Sequence, residues 1–401
     1  MRNSNEIIDD LANKEYEFGF ITDIEMEIAP AGLNEDTIRF ISAKKEEPEW
    51  LLEWRLKGFQ AFKKLPSPKW QHFPMPEIDA DSALMRVEVA GICGTDIELC
   101  SGLFGSGRPG ADRLVIGHES LGRVLEAPAG SGFATGDLVA GIVRRPDPEP
   151  CPACARGEWD FCRNGRYTER GIKEMDGYGA ERWRVDPYYA VPVPTQLGRL
   201  GVLVEPASIL TKAWDQIEQV GARSWYGPEH VLVTGAGPIG LLAALIAKQR
   251  GYTVHVLDLA TDGPKPQLVR DLGAEYLNDL SDLPVAPDVV LEATGAGQVV
   301  FDCAKLLPPA GVMCLTGISP GPASIDVQLD ALTRQLVVRN AVLVGSVNAA
   351  KRHYADAVDV LLAADPAWLE RLVTRSVPLS NWPAALVKEP GDIKVVVDLQ
   401  A

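Results

Sequence analysis

The spacing of apolar positions changes twice along this chain. Over residues 33–62 it follows a helical period. Leu33-Asn34-Glu35-Asp36 predicts a helix start, with Asn34 as N-cap and acids in the first turn. Ile38, Ile41 and Ser42 then share one side. Pro48 suits the first position of a second helix, along which Trp50, Leu51, Trp54, Phe59 and Phe62 recur at roughly helical spacing. The proline-rich stretch 65–76 reads as a linker. From Ala83 the pattern turns to β: 84–90 alternates, and glycine and proline punctuate often up to about residue 200. From 230 the order becomes strand (230–234), glycine turn, helix (239–249), strand (253–258). Further strands are expected at 288–292, 312–315 and 341–344, then a helix at 355–363 and a last strand at 393–399. Such alternation predicts an α/β protein with a doubly wound parallel sheet, preceded by a β-rich domain and a helical extension.

Composition narrows the function classes. The 401 residues are 46% hydrophobic and 23% charged, as in a globular chain of two or three domains. A net charge of -16 argues against binding duplex nucleic acid or anionic lipid. The first ten residues lack the apolar core of a signal peptide, so a cytoplasmic location is expected. The apolar uncharged run 231–247 is short for a bilayer span and is interrupted by Gly-Ala-Gly-Pro. A buried strand running into a helix explains it better. Seven cysteines, an odd and clustered set, favour metal ligands and core thiols over disulfides.

Three constellations carry chemistry. Gly235, Gly237 and Gly240, in Gly-Ala-Gly-Pro238-Ile239-Gly, fit the dinucleotide fingerprint between an apolar strand and an apolar helix. Asp258 ends the next strand, placed to accept from the adenosine ribose hydroxyls and to repel a 2'-phosphate. NAD is therefore favoured over NADP, although Lys265 stands within reach of such a phosphate. Upstream, Cys93, His118 and Glu119 are zinc-ligand types, with Glu205 a further candidate and Thr95 a candidate proton relay. Zinc acidifies a hydroxyl and a nicotinamide takes the hydride, so the pairing suggests a zinc-dependent alcohol or sugar dehydrogenase. Finally, Cys151, Cys154 and Cys162 have metal-knuckle spacing, with Asp147 or Glu149 as a possible fourth ligand. A redox Cys-x-x-Cys is the alternative, but no thioredoxin-like βαβ pattern surrounds it. This second zinc is expected to serve folding rather than chemistry.

Residues 83–401 resemble the zinc-dependent medium-chain dehydrogenases, and among them the glucose dehydrogenases. The motifs are Gly91-Ile-Cys-Gly-Thr-Asp96, Ile116-Gly-His-Glu119, Val143-Arg-Arg145, Gly157-Glu-Trp-Asp-Phe-Cys162, Glu169-Arg-Gly-Ile-Lys-Glu-Met-Asp-Gly177, Leu203-Val-Glu-Pro206 and Asp392-Ile-Lys-Val395. The resemblance implies a GroES-like catalytic domain over 76–215, completed by 347–401, and a Rossmann NAD(P)-binding domain over 216–346. It implies oxidation of an aldose, D-glucose at C1 to the lactone. It places catalytic zinc on Cys93, His118 and Glu119 with Glu205 close by, and sugar contacts at Glu169 and Asn348. One departure is Ile209, where the family carries a carboxylate; another is the first structural cysteine, replaced within 146–150. Within a helical extension over 1–75, residues from about 5 to 75 resemble instead the N-terminal segment of the SufB scaffold of iron–sulfur cluster assembly, through Lys14-Glu-Tyr-Glu-Phe-Gly-Phe20, Gly32-Leu-Asn-Glu-Asp36 and the run 41–56. The bulk of that scaffold is absent. The expected partners are a small sugar and a second copy of the chain, with iron–sulfur assembly partners only if the extension works. The rival readings are a polyol or other secondary-alcohol dehydrogenase, an iron–sulfur assembly component and an inactive fusion.

Overall fold

A computed structural model describes residues 34–63, 82–111, 113–318 and 325–400. The expected linker at 65–76 and the scaffold-like motif Lys14 to Phe20, with the first two residues of the motif at 32–36, lie outside them. The chain divides into two units, Met1–Met75 and Pro76–Ala401.

In the first unit, helices span Glu35–Lys44 and Glu49–Lys63. Asn34 caps the first, its side chain accepting the Thr37 N–H at 2.8 Å. Arg55 and Glu47 form a two-armed ion pair at 2.6–2.7 Å. Ile38 and Phe59 are buried, but Trp50 and Trp54 are 67% and 66% exposed. The expected apolar stripe is therefore split. At about 100° per residue, position 59 falls on the opposite side of the helix from position 50.

The second unit holds three sheets. The strands in chain order are β1 Ala83–Ile92, β2 Glu119–Glu126, β3 Leu138–Gly141, β4 Arg144–Arg145, β5 Thr168–Arg170, β6 Glu174–Met175, β7 Arg182–Val185 and β8 Ala190–Val193. Then come β9 His230–Thr234, β10 Thr253–Leu257, β11 Glu275–Leu277, β12 Val289–Glu292, β13 Val312–Leu315, β14 Val342–Gly345, β15 Val373–Pro378 and β16 Lys394–Asp398. The first sheet runs β15-β16-β1-β2-β3-β8, with β7 also on β1. The C-terminal strand β16 thus pairs with β1 and brings Lys394 beside the start of β2. A small sheet, β4-β5-β6, sets Arg144 opposite Glu169.

The remaining six strands are all parallel, in the order β11-β10-β9-β12-β13-β14. Counted from its own first strand this is 3-2-1-4-5-6, the doubly wound dinucleotide-binding order, whose ligand crevice lies where the order reverses. The helix Pro238–Gln249 is buried from Gly240 to Ala247, which accounts for the long uncharged run. The helix Val204–Gly221 bears on the expected domain boundary. It is continuous through 215/216, and its Leu210, Ala213, Trp214 and Ile217 belong to one core with Leu121 of the first sheet and Val231 and Val233 of the parallel sheet. The Lys351–Leu362 helix packs along it, with the Thr211 hydroxyl donating to the His353 carbonyl at 2.8 Å.

Candidate active site

Cys93 precedes the helix Gly94–Cys100, Glu119 opens β2 and His118 immediately precedes it. One ligand atom from each lies within 4.8 Å of the other two. The approach depends on Gly91, which pairs with Glu119 across the sheet. A Cβ at 91 would overlap the Glu119 carboxylate. Behind the cluster, fully buried Asp96 accepts the Cys93 N–H at 2.9 Å and stands 3.3 Å from His118 Nδ1. Burial opposes charge on His118, yet Asp96 outweighs it and raises the imidazole pKa well above its usual value. Lys394 pairs with Glu119 and donates to the Ile92 carbonyl at 3.1 Å. Burial opposes its charge too, and Glu119 holds its pKa above the usual lysine value.

These residues fit a zinc ion. A thiol, an imidazole and a carboxylate, the donor types zinc takes, converge within a largely buried wall. Glu205, the second residue of its helix, is also buried, and burial leads in pushing its carboxyl up to about 7, with the Glu119 charge adding to it. It lies outside the close Cys93–His118–Glu119 cluster. Thr95 sits half-buried in the first turn after Cys93.

Glu169 and Asn348, 179 residues apart, meet: the Asn348 amide donates to Glu169 Oε1 at 2.8 Å. Both are buried. Asn348 holds a left-handed backbone, φ 60°, and its carboxamide oxygen accepts the Ala349 N–H at 2.8 Å. The segment after Glu169 docks on the chain leading into His118: Tyr178 N–H donates to the Gly117 carbonyl at 2.8 Å, and Gly179 N–H to that of Ile116 at 3.0 Å.

At the glycine turn, Gly235 has φ 89°, and a Cβ on Gly240 would overlap the Gly235 carbonyl oxygen. Gly237 caps the following helix and Pro238 and Ile239 begin it, so free backbone N–H groups face the crevice. Asp258 accepts the Ala236 N–H at 2.6 Å and the Ala260 N–H at 3.0 Å, and Lys265 Nζ stands 3.2 Å away. Burial works against ionisation, but these donors prevail and hold the carboxyl below its usual pKa.

The ligand atoms of Cys151, Cys154 and Cys162 also lie within 4.8 Å of one another. Cys151 Sγ accepts the N–H groups of Arg163 and Cys154, which pull its thiol down to about 6. Neither expected fourth ligand joins them. Asp147 accepts the Glu149 N–H at 2.8 Å and pairs with Arg166, and Glu149 pairs with Arg166 too. Both carboxylates are thus engaged by Arg166.

Sequence reasoning singled out neither Asp96 and Lys394 nor the buried cations Arg144 and Lys212. Arg144 donates to Glu169 at 2.9–3.0 Å and lies over the Tyr167 ring. Three of the four sit inside quoted motifs; for Arg144 and Lys394 a charge within a strand was the available signal.

Comparison with known proteins covers nearly all of the second unit. The alcohol dehydrogenase GroES-like domain family matches residues 79–195, and the glucose dehydrogenase C-terminus family matches 198–399. A glucose 1-dehydrogenase of Methanocella arvoryzae is 38% identical over 81% of this chain and 94% of its own length. One from Thermoproteus tenax is 35% identical over 83% and 96%. Among solved structures, a Haloferax mediterranei glucose dehydrogenase in complex with NADP, Zn and gluconolactone superposes with a TM-score of 0.76 at 31% identity, over 82% of this chain and 95% of that one. These family matches begin at residue 79 and lend no support to the scaffold resemblance of the N-terminal segment.

Proposed function

The chain belongs to the glucose dehydrogenases of the zinc-binding medium-chain family, an oxidoreductase family of GroES-like and Rossmann parts, and from that premise we propose that it oxidises D-glucose at C1 to gluconolactone with NAD or NADP as hydride acceptor. The observation that carries the reading is the convergence of Cys93, His118 and Glu119 in the unit that bears the dinucleotide turn.

On this reading Cys93, His118 and Glu119 hold zinc and Glu205 stands ready at its open side. A bound zinc ion lowers the pKa of a hydroxyl that reaches it. Asp96 fixes the orientation of the His118 ring, as a carboxylate behind a metal-bound histidine does. Lys394 balances the Glu119 charge, so the carboxylate stays ionised in a dry wall. Thr95 takes the proton from the C1 hydroxyl. Glu169 and Asn348 hydrogen-bond the other sugar hydroxyls and hold C1 toward the nicotinamide. The Gly235–Gly240 turn and the N-terminal end of its helix take the pyrophosphate, and Asp258 takes the adenosine ribose. We favour NAD because Asp258 opposes a 2'-phosphate; Lys265 beside it leaves NADP a partner. Cys151, Cys154 and Cys162 hold a second zinc away from the reaction. Assembly of identical subunits in the cytoplasm completes the reading.

The test is reduction of NAD and of NADP by the purified protein with a panel of aldoses, polyols and secondary alcohols. Turnover with glucose and its near epimers is expected. Turnover with polyols alone would reassign the substrate.

A further inference from the structure

Asp160 lies in the cysteine lobe, in the short turn Trp159–Phe161 between Cys154 and Cys162. Two separate paths lead from it to the residues assigned above to the sugar. Its backbone carbonyl accepts Arg144 Nη1 at 3.1 Å, and Arg144 in turn grips Glu169. Its carboxylate stands 2.9 Å from Lys212 Nζ, and Lys212 donates to the Val347 carbonyl at 2.7 Å, one residue before Asn348. Both side chains of the ion pair are sealed, at 2% and 0% exposure.

We propose that Lys212 and Asp160 form a positioning pair that sets Asn348, and with it the Glu169–Asn348 couple, for sugar binding. The inference rests on the aldose reading of that site.

Three physical points support it. A sealed ion pair is weak support for stability, because well-packed apolar residues of similar volume often serve as well or better. Its retention calls for a directional role, and Lys212 has one, since its ammonium spends a donor on a single backbone oxygen. That oxygen adjoins a non-glycine residue in the left-handed region, a conformation that persists only where the surroundings over-determine it. Asn348 is held on one side by Glu169 and Ala349 and on the other by this carbonyl. Lastly, Lys212 also lies 4.3 Å from the Phe161 ring centroid, so the turn that offers the carboxylate also flanks the cation. The cysteine lobe thereby takes a share in substrate binding, beyond its expected part in folding.

The experiment compares wild type, the apolar double variant K212M/D160L and the milder K212Q in steady-state kinetics with glucose, alongside coenzyme Kd by nucleotide fluorescence and thermal melting. The double variant replaces both charges and is expected to fold. Its KM for glucose should rise about tenfold or more, the scale of a lost hydrogen bond from a charged group, with kcat changed less. K212Q keeps an amide donor for the Val347 carbonyl and should fall between. Coenzyme Kd should stay within about twofold in both, because that site lies at the far glycine turn. A folded variant whose glucose KM stays within about twofold of wild type overturns the proposal. So does parallel loss of glucose and coenzyme affinity, the mark of a merely structural pair. A wild-type protein that turns over no aldose removes the substrate reading itself, and this inference with it.

Discussion

At Gly91 a single methyl group is one too many. It would meet the Glu119 carboxylate, which Lys394 already holds. Gly91→Ala must push that carboxylate out of line or bend β1. Overpacking of this kind costs about 1–3 kcal/mol, and a lower melting temperature with weaker zinc retention should follow, readable by calorimetry and metal analysis. His118 tests the site from the other side. His118→Ala removes a ligand but no part of the coenzyme turn. Turnover should drop about a thousandfold or more, as several kcal/mol of charge stabilisation is lost, while NAD binding persists in a fluorescence titration. Normal turnover in that variant would sink the zinc assignment.

Among the elements, those with a sharp local code were legible. Strands β9 and β13 fall at the expected residues, and Asn34 caps the expected helix, because alternation, uncharged runs and an N-cap are local signals. Val204–Gly221 escaped. No side chain caps it, a run of tight turns leads into it, and from Val204 to Trp214 only Ile209 is less than buried, so the polar positions Asp215, Gln216, Glu218 and Gln219 gather at its C-terminal end and no polar stripe runs its length. Strand β15, Val373–Pro378, escaped for the opposite reason: it is an edge strand, half exposed and ended by proline. The site divides in the same way. Ligand types at Cys93, His118 and Glu119 were readable, whereas Lys394 and Lys212 act through partners distant in sequence. The turn after β10 yields a prediction of its own. Lys265 is the ammonium beside Asp258, so Lys265→Ala should raise KM for NADP about tenfold and leave that for NAD little changed. Equal effects on both coenzymes would show that Lys265 serves only to balance Asp258.

For the whole molecule, every residue assigned to chemistry lies in Pro76–Ala401, and the family matches begin at 79. Deleting residues 1–65 should therefore leave glucose-dependent coenzyme reduction at its original level or higher. Destroyed activity in a truncated protein whose coenzyme binding survives would show that the extension completes the catalytic part. The 18-residue helix Val204–Gly221 has a wider consequence. It is a rod of about 27 Å. Glu205 stands at one end, Lys212 at mid-length donates to the Val347 carbonyl beside Asn348, and Trp214 and Ile217 lie farther along in the core shared with the parallel sheet. On the proposed assignments, sugar and nucleotide bear on the same stiff member from two places. Their binding free energies should be coupled, and thermodynamic linkage then requires the coupling to be mutual. Calorimetric titration of the sugar with and without nucleotide, and of nucleotide with and without the sugar, should return one shared factor different from unity; a factor of one would mean that the rod transmits nothing.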